Sequence, residues 1–157
     1  MFRRARMVAC RGFVQSMGQW VNIEAGAFLG DGRFLRIGHG SSIGAGSRVY
    51  GADIGAGVMM GPSVTILKDN HVVDDQGRAL AGRTQPAPPR IGDGAWIGER
   101  VIVLPGRTIG ARAIVGAGSV VTRDVPDGAV VGGNPARPLH PRAAPGRDPN
   151  RQEPVDA

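Results

Sequence analysis

"RIGDGAWIGERVIVLPGRTIGARAIVGAGSVVTRDV", residues 90–125, repeats with a period of six. Ile91, Ile97, Val103, Ile109, Val115 and Val121 are all branched aliphatic residues, and Gly follows four of them. An amphipathic helix repeats every 3.6 residues and a strand every 2, so neither keeps this beat. A parallel β-helix of triangular coils does, with one hexapeptide forming each side. The aliphatic residue then points inward and stacks on its equivalent one coil later, about 4.8 Å away. Gly after it keeps the backbone free at the corner. Small residues at the fifth position (Ser41, Ser47, Ala95, Ala113 and Ser119) leave room inside a narrow prism.

The beat extends upstream. Ile37, Ile43 and Val49 are six apart, and after a slip of one residue Ile54, Met60 and Ile66 continue it. Val21 and Ala27 read as a degenerate start. The expected fold is an all-β solenoid of about five triangular coils over residues 21–140. Solenoid ends need covering, so residues 1–20 are expected to form an N-terminal cap with a short helix, and residues 127–140 to finish the other end. The proline-rich stretch 141–157 has no periodic apolar residue and reads as a disordered tail. Arg107 departs from the pattern at a fifth position. Either that corner lies near solvent or an interface, or the arginine has a buried partner.

Composition agrees with such a core. The chain has 157 residues, one domain's worth, and is 41% hydrophobic but only 4% aromatic, so stacked aliphatics rather than rings must fill it. The formal charge is +6, with Arg3, Arg4, Arg6 and Arg11 contributing, and no aromatics alternate with the basic residues. That balance points away from nucleic acid and suits an anionic small molecule. Cys10 is alone, which excludes a disulfide framework and suits a reducing compartment. No signal-peptide run or membrane span is legible, so the reading is a soluble cytoplasmic protein.

Between Ile66 and Ile91 the lattice stops, over "LKDNHVVDDQGRALAGRTQPAPPR". Insertions of this length inside a compact domain are often functional. An excursion over residues 69–90 can overhang the next coil or reach a neighbouring chain, and His71 stands at its base. His39 sits in a corner turn, "IGHGSS", and reads as a surface residue; His140 lies in the fading tail.

"GPSVTI" followed by "NH", then "IGDGAWIGERVIVLPGRTIGARAIVGAGSVVTRDVPDGAVVGGNPAR", resembles the hexapeptide-repeat acyltransferases, most closely the bacterial sugar and polysaccharide O-acetyltransferases of the maltose and galactoside type. The likeness covers residues 20–140 and is densest over 91–138. It implies a left-handed parallel β-helix, an exception to right-handed crossovers, assembled as a homotrimer with active sites between subunits. It further implies metal-free acetyl transfer from acetyl-CoA to a hydroxyl, with His71 as the catalytic base. Neutral imidazole suits that task. Its second nitrogen needs an acceptor, for which Asp69, Asp74, Asp75 and a backbone carbonyl all qualify. By the same resemblance Trp96, Gly98, Ala117, Thr122, Arg123 and Arg137 match positions along the coenzyme groove. Asn70 and Tyr50 are candidates for acceptor contacts. Glu99 and Arg100 depart from the smaller or uncharged residues of relatives.

Three alternatives stand beside this reading. A xenobiotic acetyltransferase would use the same fold on an antibiotic acceptor. A zinc enzyme of the γ-carbonic-anhydrase kind would need three histidines, with His39, His71 and His140 as the supply. A non-catalytic solenoid scaffold would need neither.

Overall fold

A computed structural model describes residues 2–140; the tail reading of 141–157 and the side chain of His140 lie outside the described residues. The hexapeptides form three parallel sheets, one per side of a prism. The first face stacks Ser16–Met17, Leu35–Ile37, Ala52–Ile54, Arg90–Ile91 and Thr108–Ile109. The second stacks Asn22–Ile23, Ser42–Ile43, Met59–Met60, Trp96–Ile97, Ile114–Val115 and Val130–Gly132, closed by the antiparallel strand Arg137–His140. The third stacks Arg48–Val49, Thr65–Ile66, Ile102–Val103 and Val120–Val121. The architecture is a left-handed parallel β-helix.

The inward residues run in vertical columns: Ile54, Ile91 and Ile109 on one face, Met60, Ile97, Val115 and Val131 on the next, Ile66, Val103 and Val121 on the third. None of these ten exceeds 5% exposure. The small fifth-position residues lie fully inside as expected. The three serines do more than save space, Ser119 Oγ donating to the Gly116 carbonyl and accepting from the Gly133 amide. Ser41 Oγ donates to the Gly55 carbonyl at 2.7 Å and accepts from the Val58 amide at 2.9 Å, while Ser47 bridges Gly61 and Val64 in the same way. A buried hydroxyl is thereby satisfied as donor and acceptor.

Several expectations are corrected. The number of coils is not among them: the faces carry five, six and four parallel rungs, and Asn22–Ile23 and Val130–Gly132 are the outermost rungs of the second. The first coil is in register at Ile23, opposite Ile43. Val21 is two residues earlier, so it occupies the fifth position, where a bulky residue disguises the beat; Ala27 stands likewise before the buried Leu29. The glycine after the aliphatic residue is required by stacking rather than by backbone freedom. A Cβ on Gly98 would lie 2.6 Å from the Ala117 nitrogen, and one on Gly61 would lie 2.8 Å from the Glu99 nitrogen. The left-handed turn conformation belongs to the glycines two places further on, such as Gly118 at φ 71°. Ser63, Arg100 and Arg112 hold that conformation without being glycine.

The helix Phe2–Phe13 precedes the first rung, and Cys10 and Val14 pack against the core. Arg107 lies toward solvent. Its side chain is 36% exposed, its Nε donates to the Pro105 carbonyl, and its ion-pair partner Asp124, 3.6 Å away, is itself exposed.

Candidate active site

After Ile66 the chain leaves the third face, and residues 71–83 form a β-hairpin rather than a structureless loop. His71–Val73 pairs antiparallel with Ala79–Arg83. The tip is built on Asp74, whose carboxylate accepts from the backbone amides of Gln76 and Arg78 and from Arg78 Nε. The Arg78 amide, followed by its guanidinium, holds the Asp74 carboxyl below the ordinary carboxylate range. At the root, the Thr84 amide donates to the Asn70 carbonyl at 2.8 Å, and the Asn70 amide donates to Thr84 Oγ1 at 3.0 Å. The returning segment is tied into the lattice at Ala87, whose amide donates to Lys68 and whose carbonyl accepts from Gly106.

His71 is exposed at the first position of the hairpin, opposite Arg83 in the register. Among the described residues, nothing hydrogen-bonds its imidazole within the chain. Two of the acceptors offered by the sequence are engaged elsewhere. Asp69 accepts from Lys68 Nζ at 2.7 Å and from Arg83 Nη1 at 2.6 Å, and Asp74 is spent on the tip. The Lys68 ammonium, helped by Arg83, holds the Asp69 carboxyl below the ordinary range against the opposing effect of burial.

The remaining candidates fall on different parts of the prism. Trp96 points outward from the second face, 51% exposed, with Met59 on the rung below it and Ile114 above. Gly98 and Ala117 stack at the corner leaving that face. Thr122 and Arg123 lie at the corner leaving the third face, the corner from which the hairpin departs two rungs lower. Arg137 lies in the closing strand opposite Gly132 and is exposed. Tyr50 packs edge-to-face on Phe28 at 5.3 Å, and its hydroxyl accepts from Arg48 at 2.9 Å. Asn70 is exposed at the root. One chain therefore brings Gly98 to Ala117 and roots the hairpin on the edge of Thr122 and Arg123 two rungs below them, but leaves Trp96 on another face from His71. His39 is exposed in its turn, as expected.

A pocket of about 270 Å³ on the first face, lined by Gln15, Arg33, Phe34, Arg36, Asp53 and Pro88 among others, contains none of these candidates. Its arginines are paired, Arg33 with Asp31 at 2.9 Å and Arg36 with Asp53 at 3.6 Å. Among the described residues no three His, Cys, Asp or Glu side chains are grouped as metal ligands, and no helix is long and apolar enough to cross a membrane. The roles of Lys68 and Arg83 were missed in the sequence. The signal was present in "VVDDQGRAL", two short apolar runs around an Asp- and Gly-bearing turn, which is a hairpin pattern.

Residues 88–123 match the family model described as bacterial transferase hexapeptide (six repeats). The chain is 40% identical over 88 residues to the galactoside O-acetyltransferase of Escherichia coli (strain K12), 56% of this chain and 43% of that one. It spans less than half the length of the curated relatives it matches first. Among solved structures, a maltose O-acetyltransferase from Clostridium difficile 630 superposes with a TM-score of 0.80 at 34% identity, covering 87% of this chain and 74% of that one. A hexapeptide-repeat acetyltransferase from Vibrio cholerae, complexed with acetyl coenzyme A, superposes at 0.77 with 31% identity, covering 87% and 76%.

Proposed function

This chain belongs to the hexapeptide-repeat transferase family, and we propose that it moves an acetyl group from acetyl-CoA to a hydroxyl of a sugar or polysaccharide precursor. The observation that carries this reading is His71: an exposed imidazole with no hydrogen-bond partner among the described residues, at the base of an excursion from an otherwise regular lattice. A sugar hydroxyl is a weak nucleophile until a base takes its proton. His71 removes that proton as the oxygen attacks the thioester carbonyl. A backbone N–H stabilises the tetrahedral oxyanion. The carbon–sulfur bond then breaks, and the proton on His71 passes to the departing thiolate. Transfer is direct within a ternary complex, and Cys10, packed against the core, takes no part.

The coenzyme runs along the corner of Gly98 and Ala117 and the outward Trp96, with Thr122, Arg123 and Arg137 near its polar parts. The site is completed between neighbouring copies in a homotrimer. Two observations support that assembly: His71 and Trp96 stand on different parts of one prism, and Met59, Trp96, Val73 and Leu80 are each at least 45% exposed apolar side chains in the single chain. The opposing chain then supplies the acceptor for the second imidazole nitrogen of His71.

The test is His71→Ala, assayed by coenzyme release across a panel of sugars, nucleotide sugars and antibiotics. The variant keeps its melting temperature and its affinity for acetyl-CoA, and its turnover falls by about a hundredfold to ten-thousandfold. Turnover within about a tenth of the parent's contradicts a general base at this position.

A further inference from the structure

The hairpin that carries His71 is a separate two-stranded sheet, whose strands pair only with each other among the described residues. No β-ladder joins it to the three faces of the solenoid. A lone two-stranded hairpin is marginally stable in water, so the position of His71 depends on what fastens the root. Besides the Asn70–Thr84 bonds, the root holds one ionic arrangement. Each oxygen of Asp69 is taken by a different cation, Oδ2 by Lys68 at 2.7 Å and Oδ1 by Arg83 at 2.6 Å. The two cations belong to different parts of the molecule.

Lys68, the chain's single lysine, belongs to the solenoid. Its carbonyl accepts from Ala87, its ammonium lies 5.2 Å from the centre of the Phe34 ring, and its side chain is 18% exposed. Phe34 in turn leads into the first-face strand Leu35–Ile37. Arg83 belongs to the hairpin's returning strand and is the register partner of His71. The carboxylate between them is only 9% exposed, so it is held in one place rather than moving in solvent.

We infer that Asp69 is a positioning residue for His71, its carboxylate latching Arg83 of the hairpin to Lys68 of the solenoid so that the imidazole is held at the edge from which the hairpin departs. This rests on the reading of His71 as the base, but the latch can be tested without it. Asp69→Asn keeps the shape and removes the charge. Hydrogen–deuterium exchange at the amides of Val73, Arg83 and Thr84 speeds up by about tenfold, the low end for hydrogen bonds to a charged group because the guanidinium of Arg83 is itself 60% exposed. Exchange at Ile97 and Val103 is unchanged. Turnover falls by a similar factor, while the KM for acetyl-CoA stays at the parent's value. Arg83→Lys, which keeps a cation opposite Asp69, recovers more turnover than Arg83→Ala.

Hairpin exchange that does not change in Asp69→Asn overturns the latch. So does faster exchange with undiminished turnover, provided His71→Ala is itself inactive. If His71→Ala retains turnover, the base assignment fails instead, and the exchange result alone decides the latch.

Discussion

The solenoid and the hairpin are made from the same chain by opposite means. In the solenoid an interior strand such as Trp96–Ile97 has a parallel neighbour on each side, and its inward residue is sealed in a column of aliphatics. In the hairpin each strand has one neighbour, every residue of both strands is exposed, and order comes from polar fastenings at the tip and root. Repetition produces a rigid prism with no intrinsic place for chemistry. Breaking the repetition places an imidazole outside the lattice, where a substrate can reach it. Stability belongs to the first region, and on the reading proposed here catalysis belongs to the second.

The comparison is broken most severely by a cavity in the columns. Ile97 is fully buried, so Ile97→Ala costs about 2–5 kcal/mol of stability. Val73, 59% exposed in the hairpin, changes stability by no more than about 0.5 kcal/mol when replaced by Ala. Thermal or denaturant unfolding of the two variants measures the difference. Equal losses would mean that the hairpin is part of the folding core.

A smaller effect separates the two kinds of glycine. In Gly118→Ala nothing lies within 4 Å of the new methyl, and only the left-handed backbone at φ 71° penalises it, by about 1–2 kcal/mol. In Gly98→Ala the methyl meets the stacked Ala117 backbone at 2.6 Å, so the coils must part locally and the loss is larger. The ranking is read from melting temperatures. The reverse order would return the corner glycine to a role in backbone freedom alone.

The smallest effect is one of acidity. Lys68 and then Arg83 hold the Asp69 carboxyl below its ordinary 3.8. A carboxyl with a lowered folded-state pKa adds stability above its unfolded value of about 3.9, and that contribution is lost as pH falls through the folded value. The latch is therefore intact from neutral pH down to about 4 and weakens below it. Hairpin amide exchange, corrected for intrinsic rates, rises in that acid window before the fluorescence of Trp20 and Trp96 reports any change in the solenoid. Simultaneous loss of both signals would show that the two regions are one cooperative unit.

The solenoid was legible because its physics is periodic. Each aliphatic residue on the six-residue beat from Ile37 to Val121 occupies an inward site, so a sequence pattern maps directly onto a column. The reading slipped where the pattern carries two meanings at once: Val21 fills a site usually given to a small residue, and the glycine after Ile97 answers to the next coil rather than to its own torsions. The sequence offers a candidate site in outline, His71 through its position and Trp96, Gly98, Ala117, Thr122, Arg123 and Arg137 through resemblance. Asp69 is one of four acceptors that the sequence offers that histidine, unranked, whereas in the structure its oxygens face Lys68 and Arg83, and Arg83 lies 14 residues away. Only the pairing of the hairpin strands brings that arginine to Asp69, and no spacing rule within the hexapeptide lattice reports it.

The division between the two regions is tested most directly by excising the hairpin. The hydrogen bonds between Asn70 and Thr84 hold the two ends close together, so residues 71–83 can be replaced by a short Gly-Gly turn. The measurement is the melting temperature, the acetyl-CoA affinity and the turnover of this one variant beside the parent. The account predicts an unchanged solenoid that still binds acetyl-CoA and has lost transfer. A variant that keeps transferring acetyl groups, or one that no longer folds, contradicts it.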